Sequence, residues 1–348
     1  MTSITRREAL STMGTLGLLG LGSAAARFAI AADERVYKPA VPGRPVPPES
    51  PFGFETTAEE VTVGMDLSGM TVLVTGCNSG LGLETMRVLA LRGAHVYGAA
   101  RTAEKAETAC DSVDGRATPI VVELTDPETI MTAAEQVRRD DVVIDMLILN
   151  AGIMALQQLE QVRGIEKQFA VNHLGHFLLT EHIIDSVKRA KAGRVVVVSS
   201  AAHAWAPEEG IQFDNLSGEA GYDPWAAYGQ SKVANGLFSR ELARRLADTD
   251  ATSNSLHPGV IRTNLTRHLP PRDEPEDSDE PSRLRRKTIP QGTATTCYVG
   301  TSPDLAGVTG YYFADSAMAY PNEHMQDDAM AKRLWEVSLE LTRDYRAA

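Results

Sequence analysis

The stretch Met70–Gly82, MTVLVTGCNSGLG, decides the fold of this chain. Its apolar, β-branched start predicts a buried strand, and a glycine-rich turn and a helical pattern follow at once. Gly76 allows a tight turn, Gly80 lets the backbone approach a pyrophosphate, and Gly82 allows close helix packing. The amino terminus of the helix would favour the anion. A turn of this kind can also exist only to join strand to helix, so this stretch alone leaves nucleotide binding open.

Similar apolar runs recur along the chain, separated by segments long enough for helices. The predicted strands are 70–76, 94–100, 118–124, 144–150, 193–200 and 253–259. Near-continuous Val, Ile and Leu indicate strands that are covered on both faces. The pattern predicts an α/β fold in a single domain: a Rossmann-type, doubly wound parallel sheet of about seven strands with helices on both faces. Right-handed crossovers place the carboxyl ends of the strands at one edge, where a ligand would bind.

Composition limits the possible partners. The chain has 348 residues, of which 43% are hydrophobic and 23% are charged, as in ordinary globular proteins. A net charge of −12 argues against nucleic acid as a partner, because phosphate-backbone binders concentrate Lys and Arg. The three cysteines, Cys77, Cys110 and Cys297, have neither the density of a disulfide scaffold nor the spacing of a zinc site. They are interpreted as small buried thiols.

The amino terminus has the features of a targeting segment. Arg6 and Arg7 precede an apolar run, Leu16–Ala26, and small residues follow at Ala29–Ala32. Residues 1–32 are therefore predicted to be a twin-arginine export signal, which would make the protein periplasmic. An uncleaved amphipathic tail, on a cytoplasmic or membrane-associated protein, is the alternative. The apolar run is far shorter than the roughly 20 residues of a stable membrane span.

Two further segments have compositions that are unusual for a buried core. Residues 33–66 are proline-rich and are predicted to be an extended linker without a core, so the folded domain is expected to span 67–348. Residues 270–287, PPRDEPEDSDEPSRLRRK, are rich in proline and charge. They are predicted to form a mobile charged loop, which could also cover the site.

The residue after the second strand bears on the choice of cofactor. An NAD site usually has an acidic residue there for the ribose hydroxyls, whereas this chain has Arg101. A guanidinium suits a 2′-phosphate, so NADP is the predicted cofactor. A solvated surface arginine is the alternative, but it would not explain the missing acid.

Several motifs in a fixed order resemble those of one family. They are TGCNSGLG at 75–82, LNAG at 149–152, VNHLGHF at 171–177, VVVVSSAAH at 195–203 and AYGQSK at 227–232. Over residues 67–344 the chain resembles the short-chain dehydrogenase/reductase family in its single-domain branch. Within the family it is most similar to the retinol dehydrogenase and WW-domain oxidoreductase group. That group typically uses NADP(H), which agrees with Arg101.

The resemblance implies a catalytic set: Asn172, Ser200, Tyr228 and Lys232. Tyr228 would exchange a proton with the substrate oxygen, Ser200 would hydrogen-bond that oxygen, and Asn172 would anchor a water of the proton relay from Lys232. Ser199 is the alternative to Ser200, since the two are adjacent.

The spacing of Tyr228 and Lys232, four residues apart on a helix, gives this set a physical basis. The pKa of a phenol must fall by about 3 units, which corresponds to about 4 kcal/mol, for the group to act as a base near neutral pH. A cation about 5 Å away contributes roughly 3 kcal/mol at an effective dielectric of about 20, and an oxidised nicotinamide would add to it. An ordinary surface pair is the alternative.

The resemblance also implies the residues that contact the cofactor. They are Gly76, Asn78, Ser79, Gly80, Leu81, Gly82, Arg101, Glu123, Leu124, Asn150, Ala151, Gly152, Tyr228, Lys232, Pro258, Gly259, Val260 and Thr263. Lys232 would hold the nicotinamide ribose, while Val260 and Thr263 would contact the carboxamide and the diphosphate. Glu123 departs from the family pattern, which usually has Asp there, so the adenine contact is less certain.

The predicted function is thus NADP(H)-dependent interconversion of an alcohol with an aldehyde or ketone, by hydride transfer. Sugar-nucleotide epimerisation or dehydration is an alternative, although those relatives usually carry a TGxxGxxG loop. A non-catalytic NADP-binding module is another. No metal is expected, and His173 and His176 are interpreted as structural. Met154, Trp205, Trp225 and Tyr222 favour a lipophilic substrate, with core packing as the alternative explanation. The resemblance implies a homo-oligomer as a candidate assembly.

Overall fold

The computed structural model describes residues 37–268 and 285–345. The predicted export signal, 1–32, lies outside the described residues. So does most of the predicted charged loop, of which only 285–287 are described.

Eight strands form one sheet in the order β10-β9-β8-β7-β4-β1-β2-β3, and two more form a small hairpin, β5-β6. The strands are β1 (Thr71–Thr75), β2 (His95–Ala100), β3 (Arg116–Val121), β4 (Met146–Leu149), β5 (Gln161–Val162), β6 (Ile165–Glu166), β7 (Arg194–Val198), β8 (Thr252–His257), β9 (Tyr312–Ala314) and β10 (Ala317–Met318). All neighbours in the sheet are parallel except β9 and β10. The sheet reverses its order beside β1, where β4 and β2 flank it, so the predicted doubly wound α/β fold is confirmed.

Helices cover both faces of this sheet. They are α1 (Ala58–Val61), α2 (Gly80–Leu91), α3 (Ala103–Asp111), α4 (Pro127–Arg139), α5 (Lys167–Phe169), α6 (Gly175–Lys188), α7 (Pro224–Arg245), α8 (Ile289–Thr301) and α9 (Asp328–Leu341). One core packs the sheet against α2 and α8, and another packs it against α4, α6 and α7. Among the helices of the described residues, none has both the length and the apolar character to cross a bilayer.

The structure departs from the expected linker at residues 33–66. Thr57 and Glu60 form a capping box that begins α1, and Ala58 and Val61 are buried in the core. The proline-rich stretch before it has no helix or strand, but it lies against the domain, with Arg44 donating to two carbonyls after α7. The core therefore begins before residue 67. A helix of one turn is long enough to place Ala58 and Val61 on the same face and to bury both.

The carboxyl-terminal helix α9 covers the outer side of α7. Trp335 packs edge-on against Phe177, with 5.0 Å between ring centroids, and stacks on Phe238 at 5.8 Å. Arg245 lies over the same indole at 4.2 Å. Every residue of α7 from Tyr228 to Ala243 is buried. The helix that carries the predicted acid/base is thus enclosed by its own chain.

The three cysteines are free and buried, as predicted. Burial raises the pKa of Cys77 and of Cys297 to about 12, and it also raises the pKa of Cys110. All three side chains belong to the core between the sheet and the α2–α8 layer, where they pack as small apolar groups.

Candidate active site

The glycine-rich turn after β1 has the crowding that its sequence predicts. Gly76 has a φ of +70° and Gly80 a φ of +56°, in the left-handed region that favours glycine. A Cβ at Gly82 would lie 2.2 Å from the carbonyl oxygen of Gly76, so only glycine fits there. Helix α2 begins at Gly80, and its N-cap residue, Ser79, makes no side-chain capping bond. The turn can therefore present backbone N–H groups to an anion.

Thr75 joins the ends of β1 and β4 at the point where the sheet reverses its order. Its hydroxyl accepts from the backbone nitrogens of Asn150, at 2.9 Å, and Ala151, at 3.0 Å. The Asn150 amide donates back to the Thr75 carbonyl at 2.9 Å. This is where open α/β sheets bind ligands. Thr75 was missed by the sequence reasoning, although it directly precedes Gly76 of the motif.

His176 connects this turn to the helix that carries Asn172. Its Nε2 lies 2.9 Å from the Thr75 hydroxyl, and its Nδ1 lies 3.0 Å from the carbonyl oxygen of Asn172. Because a carbonyl oxygen can only accept, Nδ1 carries the proton and donates to Asn172, and Nε2 of the neutral ring accepts from the Thr75 hydroxyl. Burial lowers the pKa of His176 to about 4, which keeps the ring neutral. The structural interpretation of His176 agrees with these contacts.

Tyr228, Lys232 and Ser200 meet at the carboxyl edge of the sheet. Asp223 caps α7 and Pro224 occupies its first turn, so the helix places Lys232 one turn beyond Tyr228. The Lys232 ammonium lies 5.5 Å from the centre of the Tyr228 ring. Ser200 hydrogen-bonds the Tyr228 hydroxyl, whereas Ser199 donates to the carbonyl oxygen of Lys232 at 2.7 Å. The serine that faces Tyr228 is therefore Ser200.

The pKa of Tyr228 differs from the expected direction. Burial raises it to about 12, and the hydrogen bond from Ser200 offsets only part of that effect. Burial likewise lowers the pKa of Lys232 from its ordinary value of 10.5 to about 8. Desolvation therefore exceeds the attraction between phenolate and ammonium, since both groups are almost fully enclosed. One further charge is expected to lower the pKa of Tyr228, which is the positive charge of an oxidised nicotinamide.

Asn172 lies in a short π-helical stretch, Ala170–Leu174, between α5 and α6. Its side-chain oxygen accepts from the Ile153 nitrogen at 2.9 Å, and its amide donates to the Ile153 carbonyl and to the Ser231 hydroxyl. These bonds tie the segment after β4 to α7. A Cβ at Gly152 would lie 3.1 Å from the Asn172 oxygen and 3.7 Å from the Lys232 ammonium, so the three residues converge.

The predicted adenosine-side residues lie along the ends of β2 and β3. Arg101 is exposed directly after β2. Glu123 uses one carboxylate oxygen to accept from the nitrogen and the hydroxyl of Thr125, at 3.1 and 2.9 Å. Leu124 is buried, and its carbonyl oxygen lies against Gly175. Arg101 is thus the charged side chain of this group that is open to a ligand.

The turn after β8 reaches back to the glycine-rich turn. Pro258 is buried, Gly259 has a φ of +110°, and Val260 is 37% exposed. A Cβ at Gly80 would lie 3.3 Å from the Cβ of Thr263, so the two turns are in contact. The two sets of predicted cofactor residues therefore face one cleft.

Lys287 corrects the prediction that the whole of 270–287 is a mobile charged loop. Its side chain is fully buried, and its ammonium lies 2.6 Å from an oxygen of Asp315. It also forms a parallel β-bridge with Ile261. An opposite charge within reach makes this burial possible, and composition alone does not reveal such a partner.

Two tryptophan side chains lie on one side of the Tyr228 ring. Trp225 lies 6.4 Å from the Tyr228 ring and packs edge-on against Trp205 at 5.0 Å. Trp205 is 36% exposed, so this wall is open to solvent. The Nε2 atom of His173 lies 2.8 Å from the hydroxyl of Ser338. Within 37–268 and 285–345, no three His, Cys, Asp or Glu are grouped to hold a metal ion.

Comparisons with known proteins agree with this geometry. A family model described as short chain dehydrogenase matches residues 70–274. Short-chain dehydrogenase TIC 32 B, chloroplastic, of Brassica napus is 40% identical over 305 residues, which cover 84% of this chain and 95% of that protein. Retinol dehydrogenase 14 of Mus musculus is 36% identical over 289 residues, covering 78% of this chain and 85% of that one.

Solved structures resemble the chain as well. A Mycobacterium paratuberculosis protein is 30% identical with a TM-score of 0.65, covering 84% of this chain and 98% of its own. A Beutenbergia cavernae protein with NADP bound at low occupancy is 26% identical with a TM-score of 0.56, covering 72% and 96%. The likeness extends over nearly the whole length of each of these two solved proteins.

Proposed function

The chain belongs to the short-chain dehydrogenase family, and on that premise we propose that it is an NADP(H)-dependent oxidoreductase that interconverts an alcohol with an aldehyde or ketone. The observation that carries the proposal is the meeting of Tyr228, Lys232 and Ser200 beside the glycine-rich turn. The start of α2 supports dinucleotide binding, because Ser79 makes no side-chain capping bond and the backbone N–H groups of the first turn are available to a pyrophosphate.

The residues of the site have distinct parts in the proposed reaction. When bound, the nicotinamide would supply or accept the hydride. During reduction, Tyr228 donates its proton to the carbonyl oxygen, and Ser200 donates a hydrogen bond to the same oxygen. The Lys232 ammonium stabilises the phenolate that remains. Asn172 keeps Gly152 and α7 in register with these groups.

A substrate screen tests the proposal directly. Purified protein is given NADPH and a panel of aldehydes and ketones, or NADP and the matching alcohols, while the absorbance of the reduced nicotinamide is followed. The wall of Trp205 and Trp225 beside Tyr228 supports including long apolar compounds. Turnover of at least one compound is expected. Binding of NADPH without turnover of any member of the panel would favour a binding module.

Arg101 is expected to set the preference for NADP. Changing Arg101→Asp should raise the dissociation constant for NADPH about 10- to 100-fold, since hydrogen bonds to a charged group are worth about 1.5–3 kcal/mol. The constant for NADH should stay the same or fall, because a carboxylate suits free ribose hydroxyls. Fluorescence titration with both nucleotides measures the two constants.

Arg116→Asp is the matched control for Arg101→Asp. Arg116 is also exposed, but it begins β3 and so lies at the opposite, amino-terminal edge of the sheet. The same change of charge there should leave both dissociation constants within about twofold, given screening over this distance. Equal losses in the two variants would contradict a specific role for Arg101.

The activity should depend on pH through Lys232. Its pKa of about 8 means that the ammonium loses its proton as the pH rises through that value. Reduction needs the ammonium charged and Tyr228 protonated, and Tyr228 keeps its proton well above pH 8. Therefore kcat/KM for reduction should be level below pH 8 and fall about tenfold per pH unit above it.

Steady-state reduction rates between about pH 6 and pH 10, at constant ionic strength, check this limb. Far-UV circular dichroism over the same range confirms that the protein stays folded. A level profile throughout the range, or a loss of activity towards acid pH only, would show that Lys232 does not act through its charge.

A further inference from the structure

The segment before α1 contacts α8 and the residues that directly precede α8. We call residues 37–57 the strap. Its Phe52 packs edge-on against Tyr298 of α8, with 5.9 Å between ring centroids. Its Phe54 lies instead against two cations, at 4.1 Å from the guanidinium carbon of Arg285 and 5.0 Å from the ammonium of Lys287. Two phenylalanines of similar burial thus have different neighbours.

Glu55 strengthens the contact made by Phe54. Its carboxylate forms an ion pair with Arg285 and accepts from the Gln291 amide at 2.8 Å. Gln291 is also the partner of Thr288 in the capping box that begins α8. The strap therefore contacts the stretch from Arg285 to the first turn of α8 through several side chains.

Lys287 links the strap to the turn after β8, which is predicted to contact the nicotinamide. Its backbone nitrogen donates to the Val260 carbonyl at 2.9 Å, within the bridge to Ile261. Its aliphatic stem fills the space beside Gly259, where a Cβ would lie 2.7 Å from the Lys287 Cδ. The ammonium end is enclosed, with Asp315 as its ion-pair partner and the Phe54 ring on another side.

We propose that the strap is a positioning element for cofactor binding, with Phe54 fixing Lys287, Glu55 fixing the neighbouring Arg285 and Gln291, and Lys287 fixing the backbone of Gly259–Ile261. The proposal rests on the proposed function, because that turn includes Val260, a predicted nicotinamide contact. The strap lies outside residues 70–274, which the family model matches. Lys287 contacts the backbone of this turn and not the reacting groups, so it is a positioning residue. Nucleotide affinity should therefore depend on the strap, while proton transfer by Tyr228 should not.

Hydrogen exchange on the full chain without nucleotide tests the mechanical link. In Phe54→Ala, the amide of Lys287 and the segment 258–263 should exchange about tenfold faster than in the unchanged protein, as expected for a locally loosened unit. Phe52→Ala is the matched control, since it removes the same ring from the same strap but leaves the Lys287 contact intact. Its exchange should rise around α8 and not in 258–263.

Nucleotide binding tests the consequence for the cofactor. Phe54→Ala should raise the dissociation constant and the KM for NADPH about tenfold, which corresponds to about 1.4 kcal/mol, with little change in kcat. Phe54→Trp, which keeps an aromatic face for the two cations, should restore most of the affinity. Phe52→Ala should leave the NADPH constants unchanged.

The outcomes separate this inference from the proposed function. If the unchanged protein binds no NADPH, the proposed function fails, and the exchange experiment still decides whether the strap holds the turn. If NADPH binds and turns over but Phe54→Ala leaves its affinity unchanged, the inference is overturned. Equal effects of Phe54→Ala and Phe52→Ala on exchange in 258–263 also overturn it, because they indicate general destabilisation.

Discussion

Phenylalanine at position 228 is expected to lower kcat about 10³- to 10⁴-fold, the upper part of what a positioned acid or base contributes. The substitution keeps the ring that packs against Trp225 and Lys232, and it removes only the hydroxyl that Ser200 contacts. The dissociation constant for NADPH should therefore change little. Stopped-flow or steady-state rates with the best substrate of the screen, together with fluorescence titration of NADPH, measure both quantities.

Tyr312→Phe is the control for this loss of a buried hydroxyl. Tyr312 lies on β9, is 3% exposed as Tyr228 is, and packs edge-on against His203. Removing its hydroxyl should leave kcat within about twofold, since it has no place in the proposed proton transfer. A Tyr228→Phe protein as active as the Tyr312→Phe protein would refute the role of Tyr228 as acid/base.

Alanine at position 82 is expected to abolish tight nucleotide binding. The added Cβ would lie 2.2 Å from the Gly76 carbonyl oxygen and 2.6 Å from the Asn150 amide nitrogen, so the turn and the Asn150–Thr75 bond must shift. Overpacking of this kind costs about 1–3 kcal/mol in stability, and we expect it to raise the dissociation constant for NADPH about 100-fold. Thermal unfolding and nucleotide titration report the two effects.

Gly300→Ala gives the same chemical change without the clash. Gly300 lies in α8, where an added Cβ would lie 3.4 Å from the Met146 sulfur and 3.9 Å from a Val196 methyl group, both without a clash. A helical glycine replaced by alanine at such a place should keep or increase stability. Should Gly82→Ala bind NADPH as well as Gly300→Ala does, the close approach at Gly82 would have no part in binding.

The sheet was largely predictable because its strands are continuous apolar runs. Each of the six predicted strands overlaps an observed one, with ends that differ by up to three residues, as at β3. Strands β9 and β10 were missed, since three and two residues are too few to show a pattern. Helix α1 was missed for a similar reason, although Thr57 and Glu60 carry a capping-box signal.

The proximity of the main site residues was predictable from the sequence, whereas their pKa values were not. Motif order and helix spacing place Tyr228 and Lys232 together, whereas the choice between Ser199 and Ser200 needed the backbone geometry at the end of β7. The pKa of Tyr228 depends on burial, and burial depends on the packing of segments that are distant in the sequence, such as residues 202–206 against Gly229. The ion pair between the buried Lys287 and the half-exposed Asp315, 28 residues apart, has no local signal in the sequence.

The enclosed thiols have a consequence for where this protein can work. With pKa values raised by burial, Cys77, Cys110 and Cys297 are almost entirely protonated at neutral pH, and it is the thiolate that reacts. Alkylating reagents and peroxides would thus find no ready target among them, and the fold relies on no bond that a reductant could break. The redox state of the surroundings should therefore have little effect on these three thiols.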